Sequence, residues 1–199
     1  CPDDGVAYQK NMDHTIEYGQ QYFNNYVERE QSPIAKKLNE FRTEFAHSYA
    51  NHILDIGIGS GQFIQESIKK HIPMLGYDIN PLAVEWLKER GIYSNVYHKF
   101  PENVDGVTLW DTLEHIPDPG KLLGLIPAGV FVIVSLPIYD DLTRLKESKH
   151  YKPDEHLYYF TKSGLIKYFR ARSFSCIEDS QQETIIGRHS IRSFVFRKI

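Results

Sequence analysis

Three glycines in the first third of the chain have the spacing of a ligand-binding loop. Gly57, Gly59 and Gly61 follow a short apolar run, 52–56, that is typical of a strand, and they precede a helix predicted over 60–70. Glycine lets the backbone approach a ligand closely, and the start of a helix offers unpaired N–H groups. The order of strand, loop and helix therefore predicts a ligand site at this loop.

Two acidic residues indicate which ligand the loop binds. Asp55 lies just before the first glycine, where its carboxylate would repel a pyrophosphate, and the G-x-G-x-G spacing differs from the dinucleotide pattern G-x-G-x-x-G. Asp78 ends the next predicted strand, 73–77, and can accept hydrogen bonds from both hydroxyls of a ribose. S-adenosylmethionine fits both acids, because it has an ammonium group and a ribose but no phosphate. A glycine turn flanked by two surface acids is the alternative interpretation.

A third group of polar residues follows the predicted strand that ends at Trp110. Asp111, Glu114 and His115 come within about one turn, which brings together three side chains able to bind a metal. A histidine, with an ordinary pKa of about 6.5, is also suited to remove a proton from an oxygen acceptor. We predict catalytic roles for Asp111, His115 and His156 and assign no metal ligand. His115 could instead cap a turn or pair with Glu114, and His156 could instead hold a loop.

The elements that must position these residues alternate between strands and helices after residue 50. Strands are predicted at 52–56, 73–77, 93–97, 106–110, 130–135, 173–178 and 190–197. Helices are predicted at 16–31, 33–49, 60–70, 81–90, 119–126 and 162–170. This alternation predicts an α/β fold with a mostly parallel sheet and helices on both faces. The first 50 residues are predicted to form a helical cover of the same domain, since they are too few for a core of their own.

A stripe of tyrosines marks the first predicted helix. Tyr18, Tyr22 and Tyr26 are four residues apart and share one helix face. Packing of an amphipathic helix explains the stripe, and a contact of one tyrosine with cofactor or acceptor is the second hypothesis.

The composition of the chain excludes several classes of protein. Its 199 residues carry a net charge of −3 without a dense basic patch, so we expect no nucleic-acid partner. Cys1 and Cys176 are too few for a disulfide scaffold, which favours a reducing, cytoplasmic location. No apolar run approaches the roughly 20 residues that span a bilayer, and no signal peptide is recognisable. The oligomeric state does not follow from the sequence.

Four stretches of the sequence, in order, carry a family resemblance. They are Leu54-Asp-Ile-Gly-Ile-Gly-Ser-Gly61, Gly76-Tyr-Asp-Ile-Asn-Pro81, Leu109-Trp-Asp-Thr-Leu-Glu-His-Ile-Pro-Asp-Pro119 and His156-Leu-Tyr-Tyr-Phe-Thr161. With them the chain resembles the class I S-adenosylmethionine-dependent methyltransferases over roughly residues 50–178. It is most similar to the subgroup that includes the ubiquinone-biosynthesis O-methyltransferases.

The resemblance implies a Rossmann-like, seven-stranded sheet with an antiparallel last strand, and a cofactor-binding methyltransferase domain over 51–199. Trp110 is implied to lie beside the sulfonium, and some members have residues linked to a divalent cation at the positions of Asp111, Glu114 and His115. The family usually has an acid for the adenine amino group after its third strand, but in the short segment 93–105 no acid follows the predicted strand closely, and Tyr97, His98 or a backbone carbonyl could serve. The residues implied to bind cofactor are Asp55, Gly57, Ile58, Gly59, Gly61, Asp78, Ile79 and Trp110.

The function expected from residues and resemblance together is transfer of a methyl group from S-adenosylmethionine to an oxygen of a small molecule, with S-adenosylhomocysteine as product. Methylation of RNA or protein, non-catalytic binding of S-adenosylmethionine, and a nucleotide-dependent oxidoreductase are the alternatives. A divalent cation is a further candidate for activating the acceptor.

Overall fold

The fold is taken from a computed structural model of the chain, which describes residues 4–9 and 32–199. The predicted helix 16–31, with Tyr18, Tyr22 and Tyr26, lies outside the described residues, as does Cys1. The strands are β1 (Val6–Tyr8), β2 (Ile53–Ile56), β3 (Met74–Tyr77), β4 (Gly106–Trp110), β5 (Phe131–Pro137), β6 (Tyr158–Phe160), β7 (Phe174–Ser180) and β8 (Ile191–Lys198). The α-helices are α1 (Pro33–His47), α2 (Gln62–Lys69), α3 (Pro81–Glu89), α4 (Pro119–Leu125), α5 (Lys162–Arg170) and α6 (Gln182–Ile186), and two 3₁₀ helices span Leu113–His115 and Leu142–Glu147.

The main sheet has six strands in the order β3-β2-β4-β5-β8-β7. Strands β3, β2, β4 and β5 are parallel, whereas β8 runs antiparallel to both β5 and β7. A mostly parallel sheet with an antiparallel last strand is therefore confirmed. The carboxyl ends of β2, β3 and β4 meet at one edge of this sheet, which is where ligands bind in open α/β sheets.

The predicted strand at 93–97, the third of seven in chain order, is wrong, and the main sheet of the described residues has six strands. Only Tyr93 of this segment bridges to the sheet, at Gly76. Asn95 then turns the chain, because its side chain accepts the N–H of Tyr97 at 3.0 Å and its carbonyl accepts the N–H of His98 at 3.0 Å. An asparagine that binds the backbone two residues later favours a turn over an extended strand.

A second, two-stranded sheet was not predicted. β1 pairs antiparallel with β6, although the sequence predicts no strand before residue 52. The Thr161 N–H also donates to the Gly5 carbonyl at 2.9 Å, and the Gln9 N–H donates to the Leu157 carbonyl at 2.9 Å. This small sheet fixes the segment that directly follows His156.

Helix starts agree with the sequence signals. Ser32 caps α1 through the N–H of Ala35, and proline occupies the first position of that helix. Asn80 caps α3 through the N–H of Leu82 in the same way. Proline is suited to this first position because an N–H group there would have no acceptor within the helix, so its absence costs nothing.

Both faces of the sheet are buried, which accounts for the continuous apolar runs of the parallel strands. Every residue of β2 and β4 is buried. Leu54 and Ile56 pack into one hydrophobic cluster, and Ile53 packs into the cluster on the other face. The two clusters hold the strand ends, and therefore the loops that follow them, in fixed positions. Among the described helices, none is long and apolar enough to cross a membrane.

Candidate functional site

A cavity of about 230 Å³ lies at the carboxyl ends of β2, β3 and β4. The loops that follow these strands form most of its wall, and Asn39 and Arg42 of α1 close one side. Seven of the eight predicted cofactor residues line the cavity. The exception is Gly61, which forms the N-cap of α2 in a left-handed conformation at φ 79°.

The backbone conformation of the glycine loop requires glycine at two positions. Gly57 and Gly59 have φ values of 77° and 58°, in the left-handed region that side chains disfavour. A Cβ atom on Gly57 would lie 2.4 Å from Thr112 Oγ1, so this glycine also permits the approach of the loop that follows β4. The loop backbone is thus exposed to the cavity without side chains in between.

Asp78 projects from the end of β3 into the loop region. Its carboxylate accepts the N–H of Asn80 at 2.8 Å. Burial raises the pKa of Asp78, and backbone N–H groups of Asn80 and of the glycine loop act in the opposite direction. Asp78 therefore braces the glycine loop as well as facing the cavity.

Asp55 is almost fully buried, with 2 % of its surface exposed. Its carboxylate accepts a hydrogen bond from Thr108 Oγ1 at 2.7 Å. Burial raises the pKa of Asp55 to about 7, although Thr108 and Arg42 favour its charged form. A carboxyl group in this state gains a strong partner when a cationic ligand enters the cavity.

Trp110 forms part of the cavity wall and is 7 % exposed. It packs edge to face on Phe63 at a centroid distance of 5.4 Å, and the Arg42 guanidinium lies 4.8 Å from its ring centroid. Trp110 therefore belongs both to the hydrophobic cluster on this face of the sheet and to the cavity wall.

Asp111 lines the cavity but is engaged by two arginines. Arg42 Nη2 donates to one carboxylate oxygen at 2.8 Å, and Arg188 binds both oxygens, at 2.8 and 3.1 Å. These guanidiniums hold the pKa of Asp111 well below its usual range, in spite of burial. Asp111 has a φ of 53°, a left-handed conformation that is uncommon for a residue with a side chain. A permanently charged, doubly paired carboxylate is not suited to exchange protons.

A cluster of three side chains lies next to the cavity. Glu114, His115 and His156 place their potential ligand atoms within 4.8 Å of one another. The two imidazole rings meet edge to face at a centroid distance of 4.8 Å. His115 borders the cavity, whereas His156 is 5 % exposed and does not line it. Asp111 does not belong to this group, so the D-x-x-E-H spacing does not place its three members around one point.

The protonation of this cluster follows from its burial. Burial, with the nearby charge of Asp111, raises the pKa of Glu114 to about 8. Burial, with the neighbouring His115, lowers the pKa of His156 to about 4, and burial also lowers the pKa of His115. Both carboxyl oxygens of Glu114 lack a hydrogen-bond partner among the described residues. At neutral pH the cluster therefore contains two neutral imidazoles and a neutral carboxyl, which could also release its proton to bind a cation.

A family comparison shows the enzyme class of the chain. Residues 26–179 match the family model described as a methyltransferase domain, which is more than half of the chain. The chain belongs to this methyltransferase family. With that membership, the expected enzyme class and the cofactor S-adenosylmethionine are confirmed. The ubiquinone-pathway subgroup is not part of what the family model shows.

Solved structures have the same fold as this methyltransferase. A S-adenosylmethionine-dependent methyltransferase from Archaeoglobus fulgidus aligns with a TM-score of 0.65 at 15% identity, over 89% of this chain and 100% of that chain. The 1,6-didemethyltoxoflavin-N1-methyltransferase of Burkholderia thailandensis, solved with 1,6-didemethyltoxoflavin and S-adenosylhomocysteine, aligns with 0.62 at 16% identity, over 89% and 85%. An O-methyltransferase family protein from Burkholderia thailandensis aligns with 0.62 at 10% identity, over 91% and 60%. No curated protein sequence matches the chain.

Sequence reasoning missed several residues of the candidate site. Arg42 and Asn39 of α1 line the cavity, and Thr108 pairs with Asp55. Glu183 and Arg188 contact the site only through Arg42 and Asp111. Thr108 alone had a signal, since it is a polar residue inside an apolar strand at the register position of Asp55.

Proposed function

We propose that the protein transfers the methyl group of S-adenosylmethionine to a hydroxyl oxygen of a small molecule, with His115 as the general base. The observation that carries this proposal is the hydrogen bond between His115 Nδ1 and the Glu155 carbonyl, at 2.8 Å. A carbonyl oxygen only accepts, so Nδ1 carries the proton and Nε2 keeps a free lone pair. A neutral histidine with this lone pair borders the cofactor cavity and is ready to accept a proton.

The chemistry assigned to His115 is a single displacement. The acceptor oxygen forms a bond to the methyl carbon while the bond between methyl and sulfur breaks, and the electron pair of that bond stays on sulfur. The proton of the hydroxyl passes to His115, and S-adenosylhomocysteine leaves. Holding the reactants in line contributes roughly 7–11 kcal/mol to such a step, and proton removal contributes about 10²–10⁴-fold in rate.

The cavity supports one orientation of the methyl donor. Asp55 and the N–H groups of the glycine loop would hold the ammonium and carboxylate of its methionine end. Asp78 would hold the ribose. Tyr77 and Tyr97, which meet edge to face at 5.6 Å on the cavity wall, offer apolar contacts for adenine, with exposed Ile79 beside them.

Several observations support a small acceptor and an oxygen atom. The resemblance to ubiquinone-biosynthesis O-methyltransferases favours oxygen, and one structural neighbour is an O-methyltransferase family protein. Another neighbour was solved with a small heterocycle, 1,6-didemethyltoxoflavin; it is an N1-methyltransferase, so it supports a small acceptor and not the oxygen atom. His156 is assigned a supporting role beside His115, since the two rings are in contact and His156 does not line the cavity.

The N-terminal residues 1–50 are assigned as a cover of the domain 51–199. Asn39 and Arg42 of α1 support this assignment, because both side chains line the cavity from above the strand ends. The cover would exclude water from the sulfonium.

The pH dependence of cofactor binding tests the role of Asp55. Its pKa is raised to about 7 without a ligand, so below that pH the group must lose a proton before it can pair with the ammonium. We expect the affinity for S-adenosylmethionine to rise with pH up to about 7, by nearly tenfold per unit on the acidic side, and then to level off. Titration calorimetry across this range measures the slope. In Asp55→Asn we expect weaker binding with a flat profile, and an equally steep profile in that variant would contradict the assignment.

A panel of acceptors tests the proposed function. Purified protein is supplied with methyl-labelled S-adenosylmethionine and, separately, with phenols and catechols, amines, tRNA and a protein mixture. We expect label in the hydroxyl compounds, at a rate that EDTA leaves unchanged because His115 removes the proton. Label in RNA or protein alone would overturn the small-molecule assignment, and loss of activity with EDTA would assign proton removal to a cation at Glu114, His115 and His156. Tight binding without transfer to any acceptor would indicate a non-catalytic protein.

A further inference from the structure

A buried network of charges lies behind the cavity wall. Glu183 is 0 % exposed. Its carboxylate accepts hydrogen bonds from Arg42 Nε at 2.9 Å, Arg42 Nη2 at 3.1 Å and Arg188 Nη1 at 2.6 Å. Ser193 Oγ donates to it at 3.3 Å. Both arginines also form ion pairs with Asp111, so among the described residues two positive and two negative side chains make one network of ion pairs.

Only one side of this network borders the cavity. Arg42 and Asp111 line the cavity, whereas Glu183 does not. The network joins three distant parts of the chain, namely α1, the end of β4 and the segment from α6 to β8. Two guanidiniums and two carboxylates balance in charge, so the part of the wall that Arg42 and Asp111 form belongs to a neutral group.

This balance matters because the two forms of the cofactor differ in charge. S-adenosylmethionine carries a positive sulfonium, and the product S-adenosylhomocysteine has a neutral sulfur at the same place. A net positive charge in the wall would disfavour the substrate form and leave the product form nearly unaffected.

We propose that Glu183 is a positioning residue for methyl transfer, which holds Arg42 and Arg188 on Asp111 and so keeps the cavity wall from repelling the sulfonium. The proposal rests on the binding of S-adenosylmethionine in this cavity and is independent of the acceptor. Glu183 touches neither cofactor nor acceptor and acts only through the two arginines.

The test compares the affinities for the two cofactor forms. In Glu183→Gln the network gains one positive charge, and we expect the ratio of Kd for S-adenosylmethionine to Kd for S-adenosylhomocysteine to rise by roughly 10-fold, the size expected for a partly buried charge. In Arg188→Met the network loses one positive charge, and we expect the ratio to fall. The double variant restores neutrality and should return the ratio close to that of the wild type.

The ratio separates this role from a purely structural one. A loosened fold would weaken the binding of both cofactor forms to the same extent. The ratio of the two Kd values would then stay unchanged, and this result would overturn the proposal. Arg192→Met is the matched control, because Arg192 pairs with Asp179 at 2.6 Å and does not line the cavity. If Glu183→Gln fails to fold, Arg188→Met still gives the sign of the effect, because Arg188 is 27 % exposed. Wild-type protein that binds neither form would refute the cofactor assignment itself rather than the role of Glu183.

Discussion

Replacing His115 with glutamine is expected to lower kcat by about 10²–10⁴-fold, the usual contribution of a positioned general base. Glutamine keeps a polar side chain that can donate to the Glu155 carbonyl, but it cannot take up the proton of the acceptor. We expect the Kd for S-adenosylmethionine to change little, because the donor is assigned to Asp55, the glycine loop and Asp78. Single-turnover rates at saturating donor, with the hydroxyl compound identified in the acceptor panel, measure the effect.

The pH profile of the His115 variant provides a second readout. Burial lowers the pKa of His115, so the neutral, accepting form is present at neutral pH and is lost as the pH falls through that lowered value. The wild-type rate should therefore drop on the acidic side, and the residual rate of His115→Gln should not show this drop. His52→Gln, which changes an exposed histidine away from the cavity, is the control. An unchanged kcat in His115→Gln would mean that another group, or none, removes the proton.

Replacing Asp78 with asparagine is expected to raise the Kd for S-adenosylmethionine by about 10²–10³-fold. The carboxylate would accept both ribose hydroxyls, and each hydrogen bond to a charged group contributes roughly 1.5–3 kcal/mol. The amide keeps one acceptor oxygen, which preserves the bond to the Asn80 N–H, but it has no charge. Titration calorimetry with S-adenosylmethionine and S-adenosylhomocysteine should show the same loss for both, since they share the ribose.

The alternative role of Asp78 is to brace the glycine loop. Asp118→Asn serves as the matched control, because Asp118 also accepts a backbone N–H, that of Lys121 at 2.9 Å, but at the start of α4 and outside the cavity wall. A lower melting temperature of Asp78→Asn with unchanged cofactor affinity would show that Asp78 is only a brace. If both variants have a similar melting temperature and only Asp78→Asn loses affinity for the cofactor, the result would support contact of Asp78 with the ribose.

The parts of the site that lie at strand ends could be predicted from the sequence. Parallel strands bring their carboxyl ends to one edge, so the glycine loop, Asp78 and Trp110 had to converge once three buried strands were recognised. The charge network could not be predicted, because Arg42 and Glu183 are separated by 141 positions in the sequence. Nothing local in either helix indicates that these side chains are buried together.

The errors in the fold have a similar cause. Tyr93, Val96 and Tyr97 are residue types that are common in strands, but the turn at Asn95 ends the pairing after a single bridge. Val6–Tyr8 is a short strand in a polar context, and it forms because β6 pairs with it. The close contact of Gly5 with Gly164 and the hydrogen bond of Gln9 with Tyr159, 150 positions away, add to this pairing. In both cases tertiary contacts decide between local preferences that are weak.

The position of β8 has a consequence for how the protein is made. β8 is hydrogen-bonded on both sides, to β5 and to β7, although it is the last strand of the described chain. On the ribosome, the strands β3, β2, β4 and β5 emerge first and can pair, but the edge of β5 has no partner until β8 has been translated. An apolar, unpaired edge of this kind is a template for aggregation. A nascent chain stalled before Ile191 is therefore expected to depend on chaperones, and release of the complete strand is the event that closes the sheet.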